Sequence, residues 1–426
     1  MNSNKIAVIG SGISGLSAAY ELQSRGYDVT VFEKEPSVGG RLSTSKLGEK
    51  DVSLGGKNIG KKYVEFRRMC RELHVDDFEK FGLNSTSSDS SLRIDKDRPL
   101  KSLLSILTNI PLSDIFKMLP MIRAIKRDRE NAYLSGPYFR DLESKSTPLT
   151  DVFSEKSILG IIRPLVVRNN GAEAEELTLE TFGTNLAMVL DSYEQFTNGP
   201  AKLFEKLSEL VAIKLNTSVS ALCVEDGAVK GVVMADGSKE LFERVVVATT
   251  ADAASHIVKS TNAELSDALD KVRYNPVGIL VAEYPSDVFT TEQRAFIFPQ
   301  ENNLSNAGAY GMNDLNIVRY TFSGKVSRDF LASEPSSEEL LKVAEQEFTD
   351  HTGITLPQPL KAKTGLLLRS GLSAYSSDHT QTLKEIMTGV SKTPGLYLAG
   401  DYLEGVSIEA CYRSGLNAAE AISAGK

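Results

Sequence analysis

Glycines at positions 10, 12 and 15, in the hexapeptide GSGISG, separate the apolar run IAVI from the helix-like run LSAAYEL. A glycine turn between a buried strand and a helix has a definite chemical use. Gly10 permits the tight turn, Gly12 lets backbone N–H groups approach a pyrophosphate, and Gly15 lets the helix pack closely on the strand. The helix N-terminus, at Ile13 and Ser14, then directs N–H groups and a partial positive charge at the phosphate. That helix is expected to end near Gly26. The strand after it, DVTVFE, finishes at Glu33, 18 residues beyond Gly15, where a carboxylate can accept hydrogen bonds from ribose hydroxyls, with Lys34 beside it. The plainer reading of Glu33 is a solvated charge at a strand end. Shortly after come Gly39, Gly40 and Arg41, a second glycine pair followed by a planar fork of donors suited to phosphate. A surface salt bridge is the plainer role for Arg41. The chemistry these residues share is the binding of a dinucleotide.

An NAD domain would continue after Glu33 to another strand and helix, whereas EKEPSVGGRLST returns to the same site. This stretch resembles the GG-motif flavoproteins, the superfamily of monoamine oxidases, protoporphyrinogen oxidases and phytoene desaturases. The resemblance implies FAD, and it continues along the chain. SLGGKNIG looks like the segment passing beneath the flavin, with Gly55 and Gly56 as its turn and Lys57 departing from the small or aromatic residues usual there. FTNGPAKLFEKL resembles the family's next glycine turn before a helix. TSVSALCV, AVKGVVMA and ERVVVATT read as a three-stranded meander joined by EDG and DG turns. In relatives the residue matching Val219 offers its backbone to adenine, and Ala248 to Thr250 closes the FAD domain.

The stretch GLYLAGDYLEGVSIEACYRSGLNAAEAI is similar to the family's C-terminal flavin segment. There a strand ends at Gly400 and Asp401, the aspartate serving the ribityl and phosphate region. A helix starting around Ser407 and Ile408 and running to Ile422 points its positive end at the flavin, where negative charge develops. No cysteine lies between Leu366 and Tyr375, where monoamine oxidases attach FAD, so noncovalent binding is expected. Ser407 stands where those enzymes place an aromatic residue that walls the amine. GVSIEAC and GLSAYSSDHTQTLKEI instead resemble protoporphyrinogen oxidase segments, and SIEAC approaches the helix of the desaturases.

The implied fold is α/β, a Rossmann-type FAD-binding domain (1–60, 196–252 and 375–426) interleaved with an α+β substrate-binding domain (61–195 and 253–374). The implied function is two-electron dehydrogenation of a small, cyclic or conjugated molecule, by hydride transfer to flavin N5 with oxygen as acceptor. The flavin itself carries the chemistry. Lys57, Tyr375, Tyr402 and Ser407 are pocket candidates, and no dedicated acid or base is required. A flavin amine oxidase is one alternative. Another is a non-redox mutase, which would want an arginine-rich pocket for a diphosphate; RRMCR is its candidate and reads more simply as an exposed basic face.

The elements that must position these residues fit a chain of 426 residues, long for one core and comfortable for two lobes. Hydrophobic residues are 41% and charged residues 24%, and no apolar run approaches the roughly 20 residues that cross a bilayer. MNSNKIAVIG leaves no room for a leader before the first strand, so a cytoplasmic protein is expected. The net charge of −8 disfavours nucleic acid as a partner. Cys70, Cys223 and Cys411 are scattered, which supports neither disulfides nor a metal site. KKYVEFRRMCREL is helical in pattern, while NPVGILVAEYP and NIVRYTFSG read as strands. The apolar stretch Leu103 to Ile125 reads first as packed helix lending aliphatic walls to the pocket. A membrane-touching entrance for a lipophilic substrate is its second reading.

Overall fold

The computed structural model describes residues 4–82, 84–86, 92–95, 98–134 and 136–425. Short runs of Val, Ile and Ala that are apolar on both sides suit strands covered on both faces, and such strands pair in parallel. Lys5–Ile9 is flanked by Asp28–Phe32 and Arg244–Val247, with Ala212–Lys214 and Leu396–Leu398 at the edges of a five-stranded parallel sheet. The two-residue period of the strands sorts their side chains. Ile6, Val8, Val29, Val31 and Val246 face the helices Ile13–Ser24 and Ile408–Ser423, meeting Ala18, Ala19, Leu22, Ala418, Ala419 and Ile422. Ala7, Ile9, Val245 and Val247 face the opposite way, against Leu222, Val232, Ala254 and Leu265. Fully burying one such aliphatic side chain contributes about 1.5–3 kcal/mol. The glycine turn after Ile9 is therefore held between two cores.

The two covering helices approach closely because both carry small residues there. A side chain at Gly415 would collide with Ser17 Oγ and the Ser14 carbonyl, and Ser17 Oγ donates to the Tyr412 carbonyl at 3.1 Å. The helix before Gly26 ends at Ser24, and the C-terminal helix begins one residue after Ser407.

One expected pairing is corrected. Val219–Glu225 and Ala228–Met234 form the meander's first two strands, but its third is Lys239–Leu241. ERVVVATT supplies Arg244–Val247 to the parallel sheet instead. Burial explains the exchange: Val245, Val246 and Val247 are wholly buried, which a central strand covered on both faces requires and a meander edge does not.

A second, seven-stranded sheet runs in the order 362–373, 274–283, 317–322, 304–309, 295–297, 84–86, 93–95. Its strands Tyr274–Glu283 and Ile317–Phe322 are those expected from NPVGILVAEYP and NIVRYTFSG. Leu280, Ala282, Val318, Tyr320 and Phe322 pack on Leu331, Leu340, Ala344 and Phe348 of helices Lys325–Ala332 and Ser337–Thr352. On alternate positions Val277, Ile279, Arg319 and Thr321 face a cavity.

Residues 99–127 form two helices, Pro99–Asn109 and Leu112–Arg127. The packed reading holds for the second, where Met118, Met121 and Ile125 join a core with Phe139, Ile162 and Phe182. It fails for the first, in which no residue is buried. No helix among the described residues is long and apolar enough to cross a membrane. Nor do those residues place three or more His, Cys, Asp or Glu where a metal could be held.

Candidate functional site

The glycine turn shows where the protein needs the absence of a side chain and where something else does. Gly10 has φ +99°, and a Cβ there would stand 2.8 Å from the Ala248 carbonyl oxygen. At Gly15 a Cβ would collide with the Gly10 carbonyl and lie 3.2 Å from Ala248 Cβ. Ala248 is fixed in this place by its N–H, which donates to the Ile9 carbonyl at 2.8 Å. Gly12 differs: its φ of −68° suits any residue, and a Cβ would meet nothing within 4 Å. The protein leaves that space open at the start of helix Ile13–Ser24, whose first-turn N–H groups have no intrahelical acceptor. Gly40 closes on it from the other side, 3.3 Å from the Gly12 Cα if it bore a Cβ, and the Gly39 N–H donates to the Ser11 carbonyl at 3.0 Å.

Glu33 is 8% exposed, so it is no solvated strand-end charge. One carboxylate oxygen accepts from the Ser11 N–H at 2.9 Å and from Ser11 Oγ at 2.6 Å, and the other from the Glu35 N–H at 2.9 Å. Those bonds engage three of about four lone-pair directions and leave one for a hydroxyl. Thr217 donates its N–H to the Glu33 carbonyl, which brings the start of the meander, Val219, toward this end of the turn. Lys34 does not converge with them. Its ammonium is exposed and lies 3.6 Å from Glu35.

Arg41 and Asp401, 360 residues apart, meet as a two-pronged ion pair at 2.6 and 2.9 Å, so Arg41 is not a surface salt bridge. Asp401 also accepts from Ser373 Oγ at 3.0 Å and the Tyr274 hydroxyl at 3.2 Å. Burial works against its charged form, but the Arg41 charge and these donors hold it below the usual carboxylate range. Tyr375 donates its hydroxyl to the Asp401 carbonyl at 2.8 Å, and Gly400 donates its N–H to Ser414 Oγ at 2.9 Å. Tyr375 and Tyr402 are both buried in core clusters and do not line the cavity. Their candidacy as pocket residues is therefore corrected: their rings complete the packing behind Asp401.

A cavity of about 280 Å³ opens beside this pair. Gly55, Gly56, Lys57, Ser407, Ile408 and Cys411 border it with Arg41 and Asp401. Val277, Ile279, Leu368 and Leu372 form aliphatic walls, and Tyr63, Phe81 and Tyr193 form aromatic ones. The stretch 103–125 contributes nothing to these walls. Ser407 caps helix Ile408–Ser423 by accepting the Ala410 N–H at 3.0 Å. Lys57 donates to the Tyr310 carbonyl and to Gln195 Oε1, with the rings of Phe81 and Tyr310 within 4.1 and 4.3 Å. Burial, reinforced by the charge of Arg319, keeps its ammonium well below the ordinary lysine value. Burial and the nearby Asp401 push the Cys411 thiol up to about 12.

A family model described as flavin containing amine oxidoreductase matches residues 13–423. The chain belongs to that family. Against the mitochondrial protoporphyrinogen oxidase of Nicotiana tabacum this flavin amine oxidoreductase is 21% identical, over 99% of its own length and 95% of the relative's. A 4,4'-diapophytoene desaturase of Staphylococcus aureus (strain bovine RF122 / ET3-1) is 55% identical over 77 residues, 18% of this chain and 15% of that one. Among solved structures, a chain provisionally assigned as a protoporphyrinogen oxidase from Exiguobacterium sp. 255-15 superposes with TM-score 0.74 at 16% identity, covering both chains in full. Cyclohexylamine oxidase from Brevibacterium oxydans IH-35A does so with TM-score 0.68 at 15% identity, covering 99% of each. The fold is that of the FAD-dependent amine oxidases, and the protein is a flavin-dependent oxidase.

The residues present fit FAD: open space at Gly12, a free helix end, a spare acceptor on Glu33, and a glycine-floored cavity large enough for a planar ring, while both prongs of the Arg41 fork are taken by Asp401. The mutase candidate RRMCR is not part of the cavity wall. Arg67 binds Glu194 and Arg68 binds Glu21, Glu65 and Glu72. Two wall residues, Arg168 and Arg319, escaped the sequence reading. Arg319 carried a signal: in IVRYTF it shares a face with Thr321, a polar stripe inside an otherwise apolar strand.

Proposed function

We propose that the protein binds FAD noncovalently and uses it for two-electron dehydrogenation of a small, cyclic or conjugated organic molecule, with oxygen as electron acceptor. The observation that carries this reading is the cavity, which joins the glycine loops at Gly55 and Gly56 to a pocket of aliphatic and aromatic walls. The cofactor half is taken as 1–60, 196–252 and 375–426, and the substrate half as 61–195 and 253–374. Gly10, Gly12, Ile13, Ser14, Gly15, Gly39, Gly40 and Arg41 are assigned to the pyrophosphate, Glu33 to the ribose, Val219 and Ala248 to the adenosine half, and Gly400 and Asp401 to the ribityl chain.

When bound, FAD would supply the redox chemistry, the acceptance of a hydride from a substrate C–H. The chain's residues orient and enclose. The N-terminus of helix Ile408–Ser423 borders the cavity, so its partial positive charge favours negative charge developing there. The apolar walls exclude water, and Ser407 leaves room where an aromatic residue would clamp a simple amine. Cys411, whose thiol stays protonated, is a poor nucleophile toward the cofactor. Acid precipitation should therefore release all the flavin. Stopped-flow mixing with benzylamine, aliphatic amines, polyamines, cyclic imines and pyrrolic compounds tests the substrate class. Flavin bleaching with peroxide release is expected from a cyclic or conjugated compound. Rapid bleaching by any simple amine would return the protein to the amine oxidase branch, and turnover without bleaching would favour a mutase.

Peripheral contact with a membrane is the second proposal. Leu100, Leu103, Leu104 and Leu107 fall on one face of helix Pro99–Asn109, and Leu112 and Phe116 continue the exposed apolar surface.

A further inference from the structure

On the cavity wall Arg41 has a carboxylate, Asp401, as Arg163 and Arg328 do elsewhere in the fold, with Glu173 at 2.7 Å and with Glu176. Arg168, in the last turn of helix Arg163–Asn170, lines the cavity without a hydrogen bond or ion pair among the described residues. Arg319, on the same cavity, donates only to the backbone carbonyls of Ser53, Leu54 and Gly55, at 2.8 to 3.2 Å, so its charge is not neutralised. Lys57 likewise meets a carbonyl, an amide and two rings. Asp401, already held by Arg41, is the one carboxylate among the described residues of the wall.

The approach has the same character. An outer cavity of about 430 Å³ shares Tyr63, Met188, Tyr193, Val406 and Ser407 with the inner one, and Lys61, Lys62, Lys126 and Arg129 line it. Two carboxylates also border it, Glu409, which accepts from Val64, Glu65 and Phe66, and Asp191, which accepts from Lys62 and Ser192, and Lys61 is paired with Glu194 at 3.1 Å. In a chain of net charge −8, the four cations that line this outer cavity still outnumber its two carboxylates. Such a passage focuses the field on an incoming anion.

We propose that the substrate carries an anionic group and that Arg168 receives it, with Arg319 contributing field. The proposal rests on the cavity being the substrate site. A guanidinium fork matches a carboxylate or phosphate with two parallel hydrogen bonds. The mutual effects of these groups agree: burial and the charge of Arg168 bring Arg319 down to about 10, and Arg319 in turn lowers Lys57.

The test uses FAD-loaded protein at low chloride, titrated with sodium benzoate, phenyl phosphate or benzamide and followed by the change in flavin absorbance. At least one of the two anions should bind ten times or more tightly than the neutral amide, and which one identifies a carboxylate or a phosphate. Arg168→Met should weaken that anion about 10- to 100-fold, the loss expected for a charged hydrogen bond, and leave benzamide unchanged. Arg168→Lys should recover part of the loss. FAD affinity, titrated into the apoprotein, should not change in either variant. Equal binding of anions and benzamide, or an anion affinity indifferent to Arg168→Met, overturns the proposal. So does a loss of FAD affinity, which would make Arg168 a cofactor residue. Anion binding as expected but no substrate that bleaches the flavin would sink the oxidase reading of the site and leave this proposal standing.

Discussion

Glu33 carries its charge inside the protein, tied to Ser11 and Glu35, so it joins the end of its strand to the glycine turn whether or not a ribose is present. Glu33→Gln replaces one acceptor oxygen with an amide nitrogen facing donors. A hydrogen bond to a charged group is worth roughly 1.5–3 kcal/mol, so FAD affinity of the apoprotein should fall by about one to two decades. Unchanged affinity with a lowered apoprotein Tm would mark Glu33 as purely structural. Lys57 makes a different prediction, because the folded state holds its ammonium well below the ordinary value. Between that depressed value and about 10.4 the unfolded chain binds the proton and the folded chain does not. Stability is thus fully present above about 10.4 and is lost as the pH falls through the window. Lys57→Met removes the penalty. At pH 7 the variant should be more stable than the wild type. Urea unfolding at pH 7 and pH 10 should show the advantage shrinking at the higher pH; a constant advantage would assign it to packing alone.

The glycine turn and the helix behind it separate fold from function. At Gly15 a side chain collides with the Gly10 carbonyl and Ala248, so Gly15→Ala forces helix Ile13–Ser24 away from its strand. Loss of soluble protein, or a destabilisation of about 1–3 kcal/mol or more, is expected, as for overpacking at a close contact. Gly12→Ala meets no atom within 4 Å and has a permitted φ, so the apoprotein should melt as the wild type does. Its Cβ enters the space assigned to the pyrophosphate, and flavin content after purification should drop severely. Apoprotein Tm and flavin absorbance measured on both variants decide the matter. If Gly12→Ala retained full flavin, the assignment of the turn to the cofactor would fail.

Among its described residues the molecule presents an apolar surface that its own packing does not use. Leu100 is 81% and Phe116 67% exposed, with Lys101 on the same helix as Leu100. Isolated exposed leucines are ordinary, but six apolar side chains along two successive helices form a patch that water disfavours. The protein should cosediment with vesicles containing anionic lipid, and Leu103→Glu together with Leu107→Glu should abolish it without altering the far-ultraviolet spectrum. Equal cosedimentation of that double variant would leave the patch without a role at membranes.

The glycine turn, the two helices that face its sheet, and the strands at 274–283 and 317–322 were legible in the chain because each follows from local constraints. These are a backbone that must turn, an apolar period of two or 3.6, and glycines where a Cβ has no room. The family resemblance was legible for the same reason, since its motifs are short and contiguous. Partnerships between distant segments were not. Nothing local in VVV distinguishes a meander strand from the centre of a parallel sheet; only the layers that bury Val245, Val246 and Val247 on both faces decide it. Nothing near Arg41 announces Asp401, and Arg168 is a single cation in an ordinary helix until the tertiary fold brings it to the wall that Arg319 and Lys57 also line. Charge acts through space and is weighted by burial. The kind of cofactor could therefore be read along the chain, whereas the charge of the cavity exists only once the chain has closed around it.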